Sequence, residues 1–261
     1  MAIDESARIH PGARLGAGVS VGPFAVVEED VEVGAGCEIR AHAVIRRFTR
    51  LGAGNAVHEG AVLGGEPQDL DFAGAPSRLE IGDGNRIREG VTIHRSSLPG
   101  GVTRVGSGCF LMAMSHVAHD CVVEDGALLA NNVALAGHVS IGAGAFLSGG
   151  VVVHQFCRVG RLAMIGGNTK VIRDCLPFVV TDGFPARARG LNLVGLRRAS
   201  LGAPEVRALK AAYRTLLRSG LGLAAALESL AASEDERVAE LVAFVRGSKR
   251  SFHRDRERDH A

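Results

Sequence analysis

Residues 105–165 read VGSGCFLMAMSHVAHDCVVEDGALLANNVALAGHVSIGAGAFLSGGVVVHQFCRVGRLAMI, and every sixth residue of this stretch, counted from its first, is Val, Leu or Ile. The same phase extends over residues 3–171, where 26 of 29 such positions are aliphatic and only Asp69, Ala75 and Pro99 differ. Ile, Leu and Val occupy 64 of the 261 positions of the chain, so chance would fill about a quarter of the slots. The period is therefore a property of the fold.

A period of six matches neither the repeat of about 3.6 residues in an amphipathic helix nor the alternation of a β-hairpin. It is typical of a parallel β-helix whose triangular coil uses three hexapeptides, or about 18 residues, per turn. Glycine often follows the aliphatic slot, as at Gly34 and Gly142, and predicts a corner with a positive φ there. The slot two residues before the aliphatic one is usually small, which predicts a tight inward position.

All five cysteines occupy that small slot; they are Cys37, Cys109, Cys121, Cys157 and Cys175. Metal ligation or disulfides are one interpretation, and compact side chains that fill a tight position are the other. We favour the second, because no Cys-x-x-Cys pair is present. An odd number of scattered cysteines also suits a reducing compartment.

The composition suits a slim prism, since the chain has no Trp and a single Tyr. A formal net charge of +2 does not favour nucleic-acid binding. Residues 1–11 contain no apolar segment of the kind found in signal peptides, and no stretch has the length of a membrane span. We therefore expect a cytoplasmic protein that neither binds nucleic acid nor inserts into a membrane.

Two interruptions and a change of period predict the domain organisation. The repeat is suspended over residues 64–80 and 94–104 and resumes in phase each time, as expected of loops that project from the prism. Beyond Val171 the pattern gives way to an apolar spacing of about 3.6 residues. We predict a β-helix over residues 1–185 and a helical domain over residues 186–261, whose charged tail is a solvated end.

The coil length predicts which residues stack in columns along the axis of the prism. Residues n and n+18 lie one above the other at the strand spacing of ~4.8 Å. In the unbroken part of the repeat this rule stacks His119, Gly137 and Gln155 in one column. It stacks Asp120, His138 and Phe156 in the next column, so that Asp120 can serve either histidine.

A histidine stacked with a glycine N–H is a workable arrangement for acyl transfer. The imidazole can take a proton from an attacking hydroxyl near neutral pH, and the N–H can donate to the oxyanion that forms on the carbonyl. The alternative is that each histidine is a surface residue without a task. The crowding of four histidines into one short part of a rigid scaffold favours a site; they are His116, His119, His138 and His154.

A second column contains only small residues. By the same rule Ala113, Asn131, Gly149 and Gly167 stack along the axis of the prism. They could line a groove for an extended alkyl chain, or they could permit close packing at a subunit contact. Both interpretations hold if the groove lies between subunits.

Six strings of the sequence recur together in one enzyme family. They are GGEPQDL (64–70), IGDGNRIREGVTIHR (81–95), SHVAHDC (115–121), LLANNVALAGHV (128–139), VVVHQF (151–156) and GLNLVGLRR (190–198). With them the chain resembles, over nearly its whole length, the acyl-[acyl-carrier-protein]:UDP-N-acetylglucosamine O-acyltransferases of lipid A biosynthesis. The resemblance implies a left-handed β-helix, although the general rule for parallel crossovers favours a right-handed one, and a homotrimer with active sites between subunits.

The resemblance also implies a reaction. An (R)-3-hydroxyacyl group passes from the phosphopantetheine thioester of acyl carrier protein to the 3-hydroxyl of the sugar of UDP-N-acetylglucosamine, with no metal, no resident cofactor and no covalent intermediate. His119 is then the general base, Asp120 orients it, and Gly137 donates its N–H to the oxyanion. Six arginines could steer the acidic carrier protein, or could simply be solvated; they are Arg46, Arg47, Arg50, Arg158, Arg161 and Arg173.

Further positions match those of the family that contact substrate; they are His116, His138, His154 and Gln155. Asp69 and His94 resemble sugar or acyl-chain contacts near the two loops, and Asn192 and Arg198 resemble the nucleotide-diphosphate site. A guanidinium such as that of Arg198 can hold a diphosphate bidentately. Gly167 matches a position that limits acyl length, and glycine there leaves room for a longer chain. Val194, Asp71 and Pro185 depart from the family pattern. The preferred chain length, details of nucleotide contact and the choice between a hydroxyl and an amine acceptor are left open.

Three other functions share parts of this pattern. A zinc enzyme of the hexapeptide-repeat carbonic anhydrase type would use three histidines from adjacent subunits, but His116 and His119 are close together in the sequence and no additional ligand pattern is present. Acyltransferases that use an amine acceptor or coenzyme A are not expected to contain GLNLVGLRR. A structural or ice-binding solenoid would show outward threonine ladders instead of clustered histidines.

Overall fold

The six-residue period builds the three flat faces of a prism. In the structure, a computed structural model that describes residues 2–255, the chain forms a left-handed parallel β-helix, as predicted. Most strands contain two residues, of which the first faces outward and the second is the aliphatic residue that fills the prism. Residues 256–261 of the charged tail lie outside the described residues.

The strands are β1 (Ala2–Ile3), β2 (Arg8–Ile9), β3 (Arg14–Leu15), β4 (Ser20–Val21), β5 (Val26–Val27), β6 (Glu32–Val33), β7 (Glu38–Ile39), β8 (Val44–Ile45), β9 (Thr49–Leu51), β10 (Ala56–Val57), β11 (Val62–Gly65), β12 (Arg78–Ile81), β13 (Arg86–Ile87), β14 (Thr92–His94), β15 (Val102–Val105), β16 (Phe110–Leu111), β17 (His116–Val117), β18 (Val122–Val123), β19 (Leu128–Leu129), β20 (Ala134–Leu135), β21 (Ser140–Ile141), β22 (Phe146–Leu147), β23 (Val152–Val153), β24 (Arg158–Val159), β25 (Met164–Ile165), β26 (Lys170–Val171), β27 (Val179–Asp182) and β28 (Arg187–Leu191).

Every third strand joins the same sheet. Face A has the order β1-β4-β7-β10-β13-β16-β19-β22-β25-β27-β28, face B runs from β2 to β26 in steps of three, and face C runs from β3 to β24. In regular coils the pairing follows the predicted coil length, as between Ala134 and Val152. Across the two insertions the spacing is longer, since Ala56 pairs with Arg86 and Arg86 with Phe110. Each of these spacings is still a multiple of six, which is why the phase survives the insertions.

The core is a continuous column of inward side chains. On face B, for example, Ile45, Leu63, Ile93, Val117 and Leu135 stack and are each 0% exposed. Because each coil buries its aliphatic residues against the coils on either side, stability accumulates coil by coil. The five cysteines are buried free thiols in this column, as predicted.

The corners differ from the prediction. Among the glycines that follow the aliphatic slot only Gly64 has a positive φ. The others allow close approach of neighbouring coils, since a Cβ built on Gly34 would lie 2.5 Å from the carbonyl carbon of Gly52. Positive φ falls instead on the third residue after the aliphatic slot, which includes Asp120 (φ 59°) and His138 (φ 60°). Asp and His tolerate this conformation better than most side chains do.

The chain after the last parallel strand covers the end of the prism. β28 pairs antiparallel with β27 and extends face A beyond residue 185; the predicted boundary at that residue stays a prediction. The helices are α1 (Leu193–Arg198), α2 (Ala203–Leu217), α3 (Leu223–Ala231) and α4 (Glu236–Arg246). Apolar side chains of α2, α3 and α4 form a second core with β27 and β28.

Within residues 2–255, none of the helices is both long and apolar enough to cross a membrane.

Candidate active site

The predicted catalytic residues meet at the corner between faces B and C. Strand β17 leads into this corner and β18 leaves it, with His119 and Asp120 between them. One coil above, the N–H of His138 donates to the carbonyl of His119 at 3.0 Å, and the N–H of Phe156 donates to the carbonyl of Gly137 at 3.2 Å. The structure thus confirms the stacking of both columns.

Asp120 serves His119 rather than His138. Its Oδ2 lies 2.8 Å from Nδ1 of His119 and 3.8 Å from Nε2 of His138. Since a carboxylate only accepts, Nδ1 of the neutral His119 ring carries the hydrogen and Nε2 is left as the acceptor. Asp120 therefore fixes the tautomer of the His119 ring and leaves Nε2 as its basic nitrogen.

Asp120 is held by residues that the sequence did not single out. Ser96 Oγ donates to Oδ1, Ser97 donates to Oδ2 from its N–H at 3.2 Å and its hydroxyl at 2.9 Å, and Thr103 Oγ1 accepts from the Asp120 N–H at 2.8 Å. Burial raises the pKa of Asp120, but hydrogen bonds from Ser96, His119 and Ser97 outweigh it and hold that pKa below its usual value. The available signal was the Ser-Ser pair near the start of the second insertion.

Gly137 is the residue whose small size the site requires. A Cβ built on it would lie 2.5 Å from Cε1 and 2.7 Å from Nε2 of His119. Its own N–H donates no hydrogen bond to any part of the chain that the structure describes. An unpaired N–H next to the basic imidazole is the arrangement that stabilises a developing oxyanion.

Two further histidines extend the cluster along face B. The rings of His94 and His116 meet edge to face at 4.9 Å, and Nδ1 of His116 lies 2.7 Å from Thr92 Oγ1. Burial, with added repulsion from His116 and His119, lowers the pKa of His94 to about 4. Burial and His119 also lower the pKa of His116. Both rings are therefore neutral near pH 7.

The lowered pKa of His94 predicts a loss of stability on acidification. Between its ordinary value of 6.5 and about 4, this histidine binds a proton in the unfolded chain but not in the folded one. As the pH is lowered through that window, the free energy of unfolding therefore decreases, by roughly 1–2 kcal/mol once solvent screening is allowed for. Urea unfolding at pH 7.5 and 4.5 should show a smaller loss in His94→Gln than in the parent or in the exposed control His10→Gln. An equal loss in all three would contradict the prediction.

The upper side of the cluster is aromatic and open. The ring of His138 stacks on Phe156, with centroids 4.6 Å apart, and meets His119 edge to face at 5.2 Å. His154 and Gln155 are exposed two coils above the base, and Nδ1 of His154 lies 3.1 Å from the carbonyl oxygen of Gln155. Sequence reasoning had placed Phe156 in the column without giving it a role.

Three of the predicted contact residues stand apart from this corner. Asp69 lies in the first loop, where it accepts from the N–H of Asp71 at 3.1 Å. Asn192 is buried at the start of α1, where it donates to the Leu162 carbonyl at 2.9 Å, and Arg198 is exposed in the last turn. Within residues 2–255, no hydrogen bond or ion pair joins the three to the histidine cluster. Their roles stay predictions.

The small-residue column forms as expected. The N–H of Asn132 donates to the carbonyl of Ala113, and the coils above repeat this bond. A Cβ built on Gly167 would meet only the Gly149 carbonyl oxygen at 3.5 Å and Cβ of Ser148 at 4.0 Å. A larger side chain at residue 167 would thus fit the fold while it occupied the surface above the column.

Two groups of the described residues could hold a metal ion, namely His119 with Asp120 and His138, and His58 with Glu59 and Glu89. In the first, Asp120 Oδ2 already accepts from His119 and Ser97. In the second, Arg88 pairs with Glu89 at 2.9 Å. The expectation that the enzyme uses no metal stays a prediction, which elemental analysis of the purified protein can decide.

A β-helix of hexapeptide coils, with a carboxylate-bound histidine beside a free glycine N–H, defines a hexapeptide-repeat acyltransferase. A relative from Alkalilimnicola ehrlichii named acyl-[acyl-carrier-protein]–UDP-N-acetylglucosamine O-acyltransferase is 48% identical over 255 residues, which cover 97% of this chain and 99% of the relative. The chain belongs to this family.

Other comparisons agree. Residues 12–47 match the bacterial transferase hexapeptide model, and residues 174–253 match domain 2 of UDP-N-acetylglucosamine O-acyltransferase. The UDP-N-acetylglucosamine acyltransferase from Bacteroides fragilis 9343 superposes with a TM-score of 0.94 at 38% identity, over 96% of this chain and 99% of that one. A relative of the same family name from Gloeothece citriformis is 50% identical over 177 residues, or 68% of this chain and 64% of its own length.

Proposed function

We propose that the protein transfers an (R)-3-hydroxyacyl chain from acyl carrier protein to the glucosamine 3-hydroxyl of UDP-N-acetylglucosamine, the first step of lipid A biosynthesis. The observation that carries the proposal is the corner at which the His119 imidazole packs against Gly137, whose N–H donates no hydrogen bond within residues 2–255. Family relatives carry both substrates in their name.

The proposed mechanism needs no covalent enzyme intermediate. His119 Nε2 removes the proton of the attacking hydroxyl while its oxygen bonds to the thioester carbonyl carbon. The Gly137 N–H stabilises the oxyanion that forms there. When the carbon–sulfur bond breaks, the proton passes from His119 to the leaving thiolate. Asp120 stabilises the imidazolium between these steps. The phosphopantetheine arrives on the carrier protein, so we propose no resident cofactor.

We also propose that the enzyme works as a homotrimer with sites between subunits. In the coils from β16 to β25, the outward residues of face A form an apolar, half-buried ladder of Phe110, Leu128, Phe146 and Met164. The outward residues of face C form a charged ladder that contains the ion pairs Arg14–Glu32, Arg50–Glu32 and Arg104–Glu80. The charged coils of face C therefore suit solvent, and the apolar coils of face A suit a second copy of the chain.

The carrier protein is proposed as the acyl donor, but most of the six arginines suggested for steering it are already engaged. Five of them pair with acidic side chains, as Arg46–Glu28, Arg47–Glu29, Arg50–Glu32, Arg158–Asp174 and Arg161–Glu240. Among the described residues, the side chain of Arg173 forms no ion pair. Of the six, Arg173 is therefore the better candidate for a contact with an acidic partner. The buried free thiols suit the cytoplasm, where we place the reaction.

The proposal is tested with purified protein, UDP-N-acetylglucosamine and carrier-linked (R)-3-hydroxyacyl chains of several lengths, with the product read by mass spectrometry. A 3-amino sugar nucleotide and coenzyme A thioesters are run in parallel. Esterified UDP-N-acetylglucosamine and free carrier thiol are expected. Product only with the amino sugar would correct the acceptor, and product only with coenzyme A would correct the donor.

Chain length offers a second test. Because the surface above Gly167 is open, we expect Gly167→Met to shorten the preferred acyl chain, with a change of about 10-fold or more in the ratio of kcat/KM between long and short donors. Gly167→Ala adds only one methyl group and serves as the matched control with a smaller shift. An unchanged ratio in the methionine variant would remove this column from the acyl-binding surface.

A further inference from the structure

We propose that Ser96 is a positioning residue for the acyl-transfer reaction, which holds one oxygen of the Asp120 carboxylate so that the other faces His119. The inference rests on the proposed function of His119 as the base. Ser96 lies in the second insertion, shortly beyond His94, and is 0% exposed.

The direction of the hydrogen bonds around Ser96 is fixed by its neighbours. The N–H of Leu98 donates to Ser96 Oγ at 3.0 Å, so this oxygen is an acceptor there. The single hydrogen of the hydroxyl is then left for Asp120 Oδ1, which can only accept. A donor that reaches a carboxylate oxygen in a buried site forms a strong, charge-assisted bond.

The backbone of Ser96 is itself anchored. Its carbonyl accepts from the buried hydroxyl of Ser77, and its N–H donates to the carbonyl of Arg78 at 3.3 Å. Arg78 begins β12 on face C, and Ser77 immediately precedes it. The loop therefore delivers the Ser96 hydroxyl to the carboxylate from a fixed platform, independently of the corner that carries His119 and Asp120.

A fixed carboxylate matters because Asp120 stands between two imidazoles. Oδ2 is 2.8 Å from His119 and only 3.8 Å from His138, and it also accepts from Ser97. A modest rotation about the bond to the carboxylate would exchange one histidine for the other. Such a rotation breaks the bond from Ser96 to Oδ1, so Ser96 favours the orientation that serves the base.

Removal of the hydroxyl should therefore act on turnover through His119. We expect Ser96→Ala to lower kcat by about 10- to 100-fold, with little change in KM. The titratable groups that face His119 are Asp120, His138, His94 and His116. If the carboxylate turns away, the His119 imidazolium loses its anionic partner, so the acid limb of kcat/KM moves to lower pH.

Two variants and a matched control test the proposal. Ser96→Ala and Ser96→Gly both remove the hydroxyl. Ser115→Ala is the matched control, because it removes a buried serine hydroxyl that forms no hydrogen bond with any described residue. Kinetics are accompanied by long-range ¹H–¹⁵N NMR of histidine-labelled protein without substrate, with His119→Ala used for assignment. The parent and Ser115→Ala should keep His119 as the Nδ1–H tautomer, and both Ser96 variants should lose that preference and shift the pH profile.

The proposal is overturned if the Ser96 variants keep both the tautomer and the pH profile, or if Ser115→Ala reproduces their changes. Because the NMR measurement needs no substrate, it separates this outcome from failure of the proposed reaction. A protein without turnover in any form would refute the assigned function, while the tautomer of His119 would still report on Ser96.

Discussion

Replacement of His119 by alanine is expected to lower kcat for acyl transfer by about 10²–10⁴-fold, because the attacking hydroxyl then loses the group that takes its proton. The side chain is mostly buried, at 13% exposure, and its hydrogen bond runs to Asp120 at 2.8 Å. It does not belong to the aliphatic column that holds the prism together. The fold and the assembly state should therefore survive the substitution.

The measurement is single-turnover and steady-state formation of acylated UDP-N-acetylglucosamine, with light scattering and thermal unfolding on the same samples. His10→Ala is the matched control, since His10 is an exposed histidine at the far end of the prism. It should keep the activity of the parent. Near-normal turnover by His119→Ala would exclude His119 as the base. If the variant is unfolded, its loss of activity reflects lost stability and not a lost catalytic group.

Much of the fold was predictable because every sixth residue is an inward aliphatic side chain of a coil. An aliphatic side chain such as Leu135 is buried in the interior of the prism, and its neighbours along the axis are set by the strand spacing. The insertions could be located for the same reason, since both return in phase. The corners were less predictable. Close approach of coils at Gly34 and positive φ at Asp120 are both features of turns, and sequence spacing alone did not separate them.

The core of the candidate site was predictable for the part that obeys the coil rule. That rule stacks His119 with Gly137 and Asp120 with His138, and both stacks are present. It could not choose the histidine that Asp120 serves, because the choice depends on small differences between two distances, 2.8 Å and 3.8 Å. Nor could it find Ser96, since a projecting loop has no fixed register against the coil.

Gly137→Ala tests the same corner by steric means, and we expect it to lower kcat by about 10²-fold. The added methyl carbon would lie 2.5 Å from Cε1 of His119, so the ring must move, and a misplacement of about 1 Å in a catalytic group can cost that much. Gly137 lies outside the positive-φ positions, so the backbone tolerates alanine. Gly222→Ala, where an added Cβ meets nothing within 4 Å, is the control for the substitution itself.

A double-mutant cycle makes this prediction specific. When Gly137→Ala is made in the parent protein, the added methyl group overpacks against the His119 ring that Asp120 holds. This should lower the free energy of unfolding by about 1–3 kcal/mol. In the His119→Ala background the ring is gone, so the same Gly137→Ala change should cost close to nothing, which gives a coupling energy of similar size. If the cost persists without the imidazole, the clash lies elsewhere and the stacking of base and oxyanion donor is wrong. If it disappears, the catalytic nitrogen and the glycine share one corner of the prism, as the coil length requires.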